Sequence, residues 1–143
     1  MMYLLDTNVV SELRQAKAGR ADKNVVSWIG SRSAESFYIS AVTLMELDLG
    51  VLMIERRDPV QGAHLRAWMD KLVLSEFSGR VLPVDEIVAL RCSRLHVHDR
   101  RPERDAFIGA TALVHGMSVV TRNVADFAPM GVPTIDPWQP SEG

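Results

Sequence analysis

Residues 3–13 read YLLDTNVVSEL. Tyr3, Leu4 and Leu5 leave no polar position, as a short strand buried on both faces requires. Asp6 stands where that strand should emerge, and Thr7 and Asn8 lead into Val9, Val10 and Leu13 at helical spacing. A carboxylate at the exit of a core strand either caps the next helix or belongs to a site. A buried strand that feeds directly into a helix is also how a layered α/β unit begins.

The same alternation continues along the chain. Strand-like runs are predicted at Tyr3–Leu5, Phe37–Ile39, Val81–Leu82, Ser118–Thr121 and Val132–Ile135, each short, apolar and bounded by polar or turn residues. Helical spacing starts at Val9, returns at Val25, Val26, Trp28 and Ile29, and extends over Leu44–Ile54, Leu65–Leu74, Ile87–Leu95 and Pro102–His115. The expected fold is therefore α/β, a mainly parallel central sheet of four to five strands flanked by helices. Residues 1–136 are expected to form one domain, with 137–143 as a frayed tail. The polar stretch QAKAGRADKN is the clearest loop. Around RRDP a helical hairpin is expected, with Pro59 starting its second arm. Its stripe of Leu44, Leu47, Val51 and Ile54 reads first as core packing and second as a dimer surface.

Composition narrows the class. With 143 residues, 47% hydrophobic and 24% charged, the chain can bury a core and does not match a disordered or fibrous protein. One cysteine, Cys92, supports neither an internal disulfide nor a zinc cluster, so the cytoplasm is the expected compartment. The most apolar segment, SAVTLMELDLGVLMIE, carries Glu46 and Asp48, which argues against a membrane span or signal peptide. A net charge of −2 would discourage a nucleic-acid partner if the acids were spread evenly.

They are not spread evenly. In an open parallel sheet, ligands collect beyond the carboxyl ends of the strands. Asp6 ends the first strand, and Glu46 lies in the first turns of the helix after the second. Asp105 lies in the first turns of a helix opened by Pro102, and Asp126 follows SVVT through RNVA. Singly, each could cap a helix, answer a dipole or pair with a surface cation. Together at one rim they would repel, so their proton affinities rise or a cation holds them. Oxygen-only donors select hard ions, Mg²⁺ or Mn²⁺. The histidines offer no rival: His96 and His98 point to different helix faces, and His64 and His115 lack partners at helical spacing.

At this point the chain resembles a family, the PIN-domain nucleases, and within it the VapC and FitB type toxins of bacterial toxin–antitoxin pairs. The matching stretches are LLDTNVVSEL, SAVTLMELDLG, PERDAFIGATA and SVVTRNVADF, in the family's order and spacing. The resemblance implies a PIN-like fold and catalytic, metal-binding roles for Asp6, Glu46, Asp105 and Asp126, with the option that Asp126 acts through water. It implies supporting polar roles for Thr7, Thr121 and Asn123. Gly109 stands where many relatives have alanine, both small enough for the helix to approach the sheet. The implied activity is Mg²⁺- or Mn²⁺-dependent endoribonuclease chemistry by the toxin of a type II pair. The implied partners are an RNA substrate, a cognate antitoxin protein and a second copy of the chain, or a larger toxin–antitoxin assembly. The helix N-terminus is expected to keep Asp105 ionised.

Basic residues near the acids are candidates for the RNA backbone: Arg14, Lys17, Arg20 and Lys23 after the first segment, Arg100, Arg101 and Arg104 before Asp105, and Arg122 beside Asn123. An aspartyl phosphatase would need an acid at position 8, which is Asn8, and a phosphorelay receiver would need an acidic pair and a late lysine that SVVTRN and VPTIDP do not supply. The alternative from another class is a non-catalytic interaction module of PIN fold. Retention of all four acids speaks against it, since unused crowded charges cost stability.

Overall fold

The computed structural model describes residues 1–97 and 99–140; His98 and the last three residues of the expected tail lie outside the described residues. Five strands form one sheet in the order β3-β2-β1-β4-β5, every neighbouring pair parallel. They are β1 (Tyr3–Leu5), β2 (Phe37–Ser40), β3 (Val81–Leu82), β4 (Ser118–Val120) and β5 (Thr134–Ile135). The sheet agrees with the sequence expectation. The last two strands are shorter than predicted: β4 ends at Val120, although the Thr121 amide still donates to Ile135 at 2.9 Å, and β5 begins only at Thr134.

β1 is the central strand, and its side chains alternate between two cores. Tyr3 and Leu5 pack with Val10, Trp28, Leu47, Val51, Met69 and Val73 on one face. Leu4 packs with Ile108, Ala112, Phe127 and Met130 on the other. The first face is covered by α1 (Thr7–Leu13), α2 (Lys23–Gly30) and α3 (Ala41–Arg57), together with the arm that starts with α4 (Pro59–Trp68). That arm continues through a π-helical turn at Met69–Val73 into α5 (Leu74–Glu76). The second face carries α6 (Glu86–Leu95), α7 (Glu103–His115) and α8 (Val124–Phe127), with Val88 and Cys92 of α6 packed on Ala106 and Ala110 of α7.

Side-chain caps place the helix starts. Asp22 accepts from the amides of Asn24 and Val25, Ser40 from Val42, Asp58 from Gln61 and Asp85 from Val88. Because Ser40 ends β2 and caps α3 at once, α3 begins at Ala41 rather than near Leu44, with no intervening loop. The hairpin stripe is core, as first read: Leu47 and Val51 are buried, with Leu44, Leu65 and Trp68 packed on the same cluster. A Cβ on Gly62 would collide with the Glu55 backbone, so this glycine allows α3 and α4 to touch. Arg66 ties the two arms through Asp48 at 2.6 Å and Glu55 at 2.9 Å. Gly109 answers to different neighbours than its spacing suggested: a Cβ there would lie 2.5 Å from Met130 Sδ and 3.8 Å from Phe127, not against the sheet.

Candidate active site

The topology fixes where a ligand can enter. The chain runs outward from β1 through β2 to β3, then returns to lay β4 and β5 on the other side of β1. The crevice between β1 and β4 is therefore the switch point, the place where parallel sheets leave room beyond their carboxyl ends. Leu5 is paired with Val120, so Asp6 and Thr121 emerge side by side.

Asp6 is buried, with 5% of its surface exposed. It caps the next helix, one of the two roles that its position suggested. Oδ1 accepts from the Thr7 amide at 2.8 Å and so begins α1. Oδ2 accepts from Thr121 Oγ1 at 2.8 Å and from Asn8 Nδ2 at 3.3 Å. Burial pushes its carboxyl above the usual range, with Glu46 and Asp126 adding to the push and the Thr121 and Thr7 hydrogen bonds opposing it.

The other acids arrive on helices. Glu46, on α3, accepts from Thr7 Oγ1 at 2.8 Å, and Thr7 Oγ1 also lies 3.4 Å from the buried Thr43 hydroxyl. Asp105 is the third residue of α7, and Asp126 sits within α8 rather than in an open turn. Asp105 is raised to about 6, first by burial and then by Asp6, Asp126 and Glu46. Asp105 therefore gives up its proton about pH 6, later than an ordinary aspartate, and is mainly ionised at neutral pH. All four acids thus share one electrostatic neighbourhood.

Does this set suit a divalent ion? Among the described residues, no three Asp, Glu, His or Cys side chains are closed into a ligating cluster as they stand. The donor chemistry nevertheless fits a hard cation. Every group is an oxygen donor, Asp6 and Asp105 are held above their ordinary proton affinity, and no described side chain donates a hydrogen bond to Asp105. Added positive charge would relieve that repulsion.

The supporting residues divide. Thr7 and Thr121 hold acids directly, whereas Asn123 supports through its backbone, donating its amide to Thr121 Oγ1 at 2.9 Å with its side chain exposed. Asn8 had been read only as the missing acid of a phosphatase, yet it bonds Asp6 and accepts from the Arg122 amide at 3.3 Å. Its place two residues after the strand-exit acid was the available signal. Thr43 was also missed, because a threonine on an apolar helix carries no signal of its own.

Among the cations, Arg14 borders a cleft of about 180 Å³ shared with Thr7, Ser11, Glu46 and Trp68. Arg104 lies 3.7 Å from Glu46. Arg122 stacks over Trp138 at 5.1 Å. Arg101 is engaged within the fold: its guanidinium donates to the carbonyls of Leu95 and Pro129, at 3.2 and 3.3 Å, and so ties the α6–α7 loop to the segment after α8. His96 belongs to the same tie, accepting from the Arg101 amide at 3.2 Å.

With this geometry in view, comparison with known proteins is direct. The PIN domain family matches residues 3–129. A VapC ribonuclease of Sinorhizobium fredii is 34% identical, the alignment covering 98% of this chain and 100% of the relative. The toxin FitB of Neisseria gonorrhoeae is 34% identical over 96% of this chain and 99% of its own. Among solved structures, the FitAB complex bound to a DNA fragment superposes with a TM-score of 0.88 at 34% identity, covering 99% of each chain.

Proposed function

The chain belongs to the PIN-domain family, and from that premise we propose that Asp6, Glu46, Asp105 and Asp126 form the metal-dependent active site of a ribonuclease, the toxin of a type II toxin–antitoxin pair. The observation that carries this is the convergence of four carboxylates at the β1/β4 switch point, two of them with raised proton affinity. Full-length relatives named as a VapC ribonuclease and a FitB toxin support the activity and the biological role.

Asp6, Glu46, Asp105 and Asp126 would hold Mg²⁺ or Mn²⁺. Such an ion, when bound, supplies Lewis acidity for water attack on a phosphodiester and neutralises charge on the phosphate and leaving oxygen. The protein's own groups prepare that chemistry. Thr121, Asn8 and the Thr7 amide fix both oxygens of Asp6, and Thr7 aims Glu46 from the neighbouring element. Asp105 and Asp126 approach from the far side on α7 and α8. Arg14 and Arg122 supply positive charge at the rim for the RNA backbone. The cognate antitoxin is a protein that covers this rim, and the toxin acts as a homodimer or within a larger toxin–antitoxin assembly. No described helix is long and apolar enough to cross a membrane; the site of action is the cytoplasm, where RNA is available.

The test is cleavage of structured and unstructured RNA by antitoxin-free protein in Mg²⁺, Mn²⁺ or EDTA, beside Asp6→Asn. Metal-dependent cleavage that disappears in the variant is the expected result. A folded protein that binds no divalent ion and leaves RNA intact would instead be an interaction module.

A further inference from the structure

We infer that Arg104 is the built-in counter-ion of Glu46 at the edge of the acid cluster, holding it until a divalent ion takes its place and then turning to a phosphate of the RNA. This rests on the nuclease reading above and adds a residue that the family resemblance does not assign to the metal.

Three observations point to it. Arg104 is the second residue of α7, in a first turn where the helix dipole favours acids and disfavours cations. A local preference broken at the lip of a site is a sign of function. Its guanidinium nonetheless reaches across to α3, with Nη1 3.7 Å from Glu46 Oε2. Among the described residues, this is the ion pair that Glu46 makes.

Glu46 is thereby committed at both oxygens, Oε1 to the Thr7 hydroxyl and Oε2 to Arg104. An incoming ion must compete with Arg104 for that second oxygen. The competition is mild: the pair is too long for a hydrogen bond, and the Arg104 side chain is 53% exposed, so water screens it and the arm can swing. Arg101, three residues earlier, cannot do this because backbone carbonyls hold its guanidinium. Once released, Arg104 stands beside Asp105 with five donors in a planar fork suited to phosphate oxygens. One charge then serves both states of the site. It offsets the charge of Glu46 when no ion is bound and meets the substrate anion when one is.

The expected signature is two effects of opposite sign. By isothermal titration calorimetry, Arg104→Met should bind Mn²⁺ or Mg²⁺ about two- to five-fold more tightly than wild type, the range expected for loss of an exposed ion pair. RNA binding is measured by fluorescence anisotropy with a mixed-sequence single-stranded RNA and all four acids intact, in saturating Ca²⁺ in place of Mg²⁺, so that the ion site is filled while cleavage is suppressed. There Arg104→Met should weaken binding and lower the slope of log affinity against log salt by about one. Arg104→Lys should keep wild-type metal affinity, since the charge remains, but lose part of the RNA affinity with the fork. Unchanged metal affinity in Arg104→Met, or metal and RNA affinity falling together, would overturn the inference. Asp6→Asn in the same titration separates the two levels: if Asp6→Asn binds the ion as wild type does, the metal-site reading itself fails. If Asp6→Asn loses the ion while Arg104→Met leaves its affinity unchanged, only the role of Arg104 fails.

Discussion

Replacing Asp105 by asparagine should stabilise the metal-free protein while abolishing cleavage. The carboxyl is raised from 3.8 to about 6 by burial and by three neighbouring acids, so ionising it costs more in the folded than in the unfolded chain. Taken whole, that shift is worth about 3 kcal/mol at 1.36 kcal/mol per unit. Asp105 is only partly buried, and solvent screening reduces the figure to about 1 kcal/mol. For a chain of this length, that is about 3 °C in melting temperature. The sign follows from proton linkage. The native state binds more protons than the unfolded state between about pH 4 and pH 6, so stability falls as pH rises through that window and the penalty is complete above it. In EDTA, the advantage of Asp105→Asn should be absent near pH 4 and below, grow through pH 6 and be full at pH 7.5. Saturating Mg²⁺ should reverse the order: an ion at a hundred times its dissociation constant adds about 2.7 kcal/mol to the wild type and little to the variant. Thermal unfolding followed by circular dichroism, with EDTA and with Mg²⁺ at each pH, reads all of this. A variant less stable than wild type in EDTA at pH 7.5, or equally stabilised at pH 4, would refute the account of a repulsive acid cluster relieved by a cation.

Thr121→Val keeps the shape of a buried side chain but removes the donor to Asp6 Oδ2 and the acceptor for the Asn123 amide. A loss of about 1–3 kcal/mol is expected in urea denaturation, and an unchanged midpoint would mean that Asp6 is held by its other donors alone. Gly62→Ala should cost about 1–3 kcal/mol because a Cβ there meets the Glu55 backbone. Gly50→Ala on the same hairpin has open space and should gain up to about 1 kcal/mol, so the reverse order in denaturant midpoints would contradict the observed packing of α3 on α4.

Much of the site was legible because strand exits and helix starts are local events. YLLD announced both the central strand and its terminal acid, and PERDA marked a helix whose first turn carries Asp105. Register was not legible. That Asp6 meets Thr121 depends on Leu5 pairing with Val120, a contact between segments more than a hundred residues apart. The arginines show the same limit. Proximity in sequence made Arg101 and Arg104 equivalent candidates, but the loop between α6 and α7 turns one toward carbonyls and the other toward Glu46.

The amino-acid sequence by itself determined the layered α/β class and the parallel sheet and nominated the four acids proposed for its rim, because hydrophobic periodicity and strand-end chemistry are written in neighbouring residues. Only the tertiary structure decided how strongly those acids feel one another. Burial and Coulomb interaction depend on distances between β1, α3, α7 and α8, and no local pattern encodes them. The raised proton affinity of Asp105, Asn8 as a partner of Asp6, and the pairing of Arg104 with Glu46 all follow from that convergence.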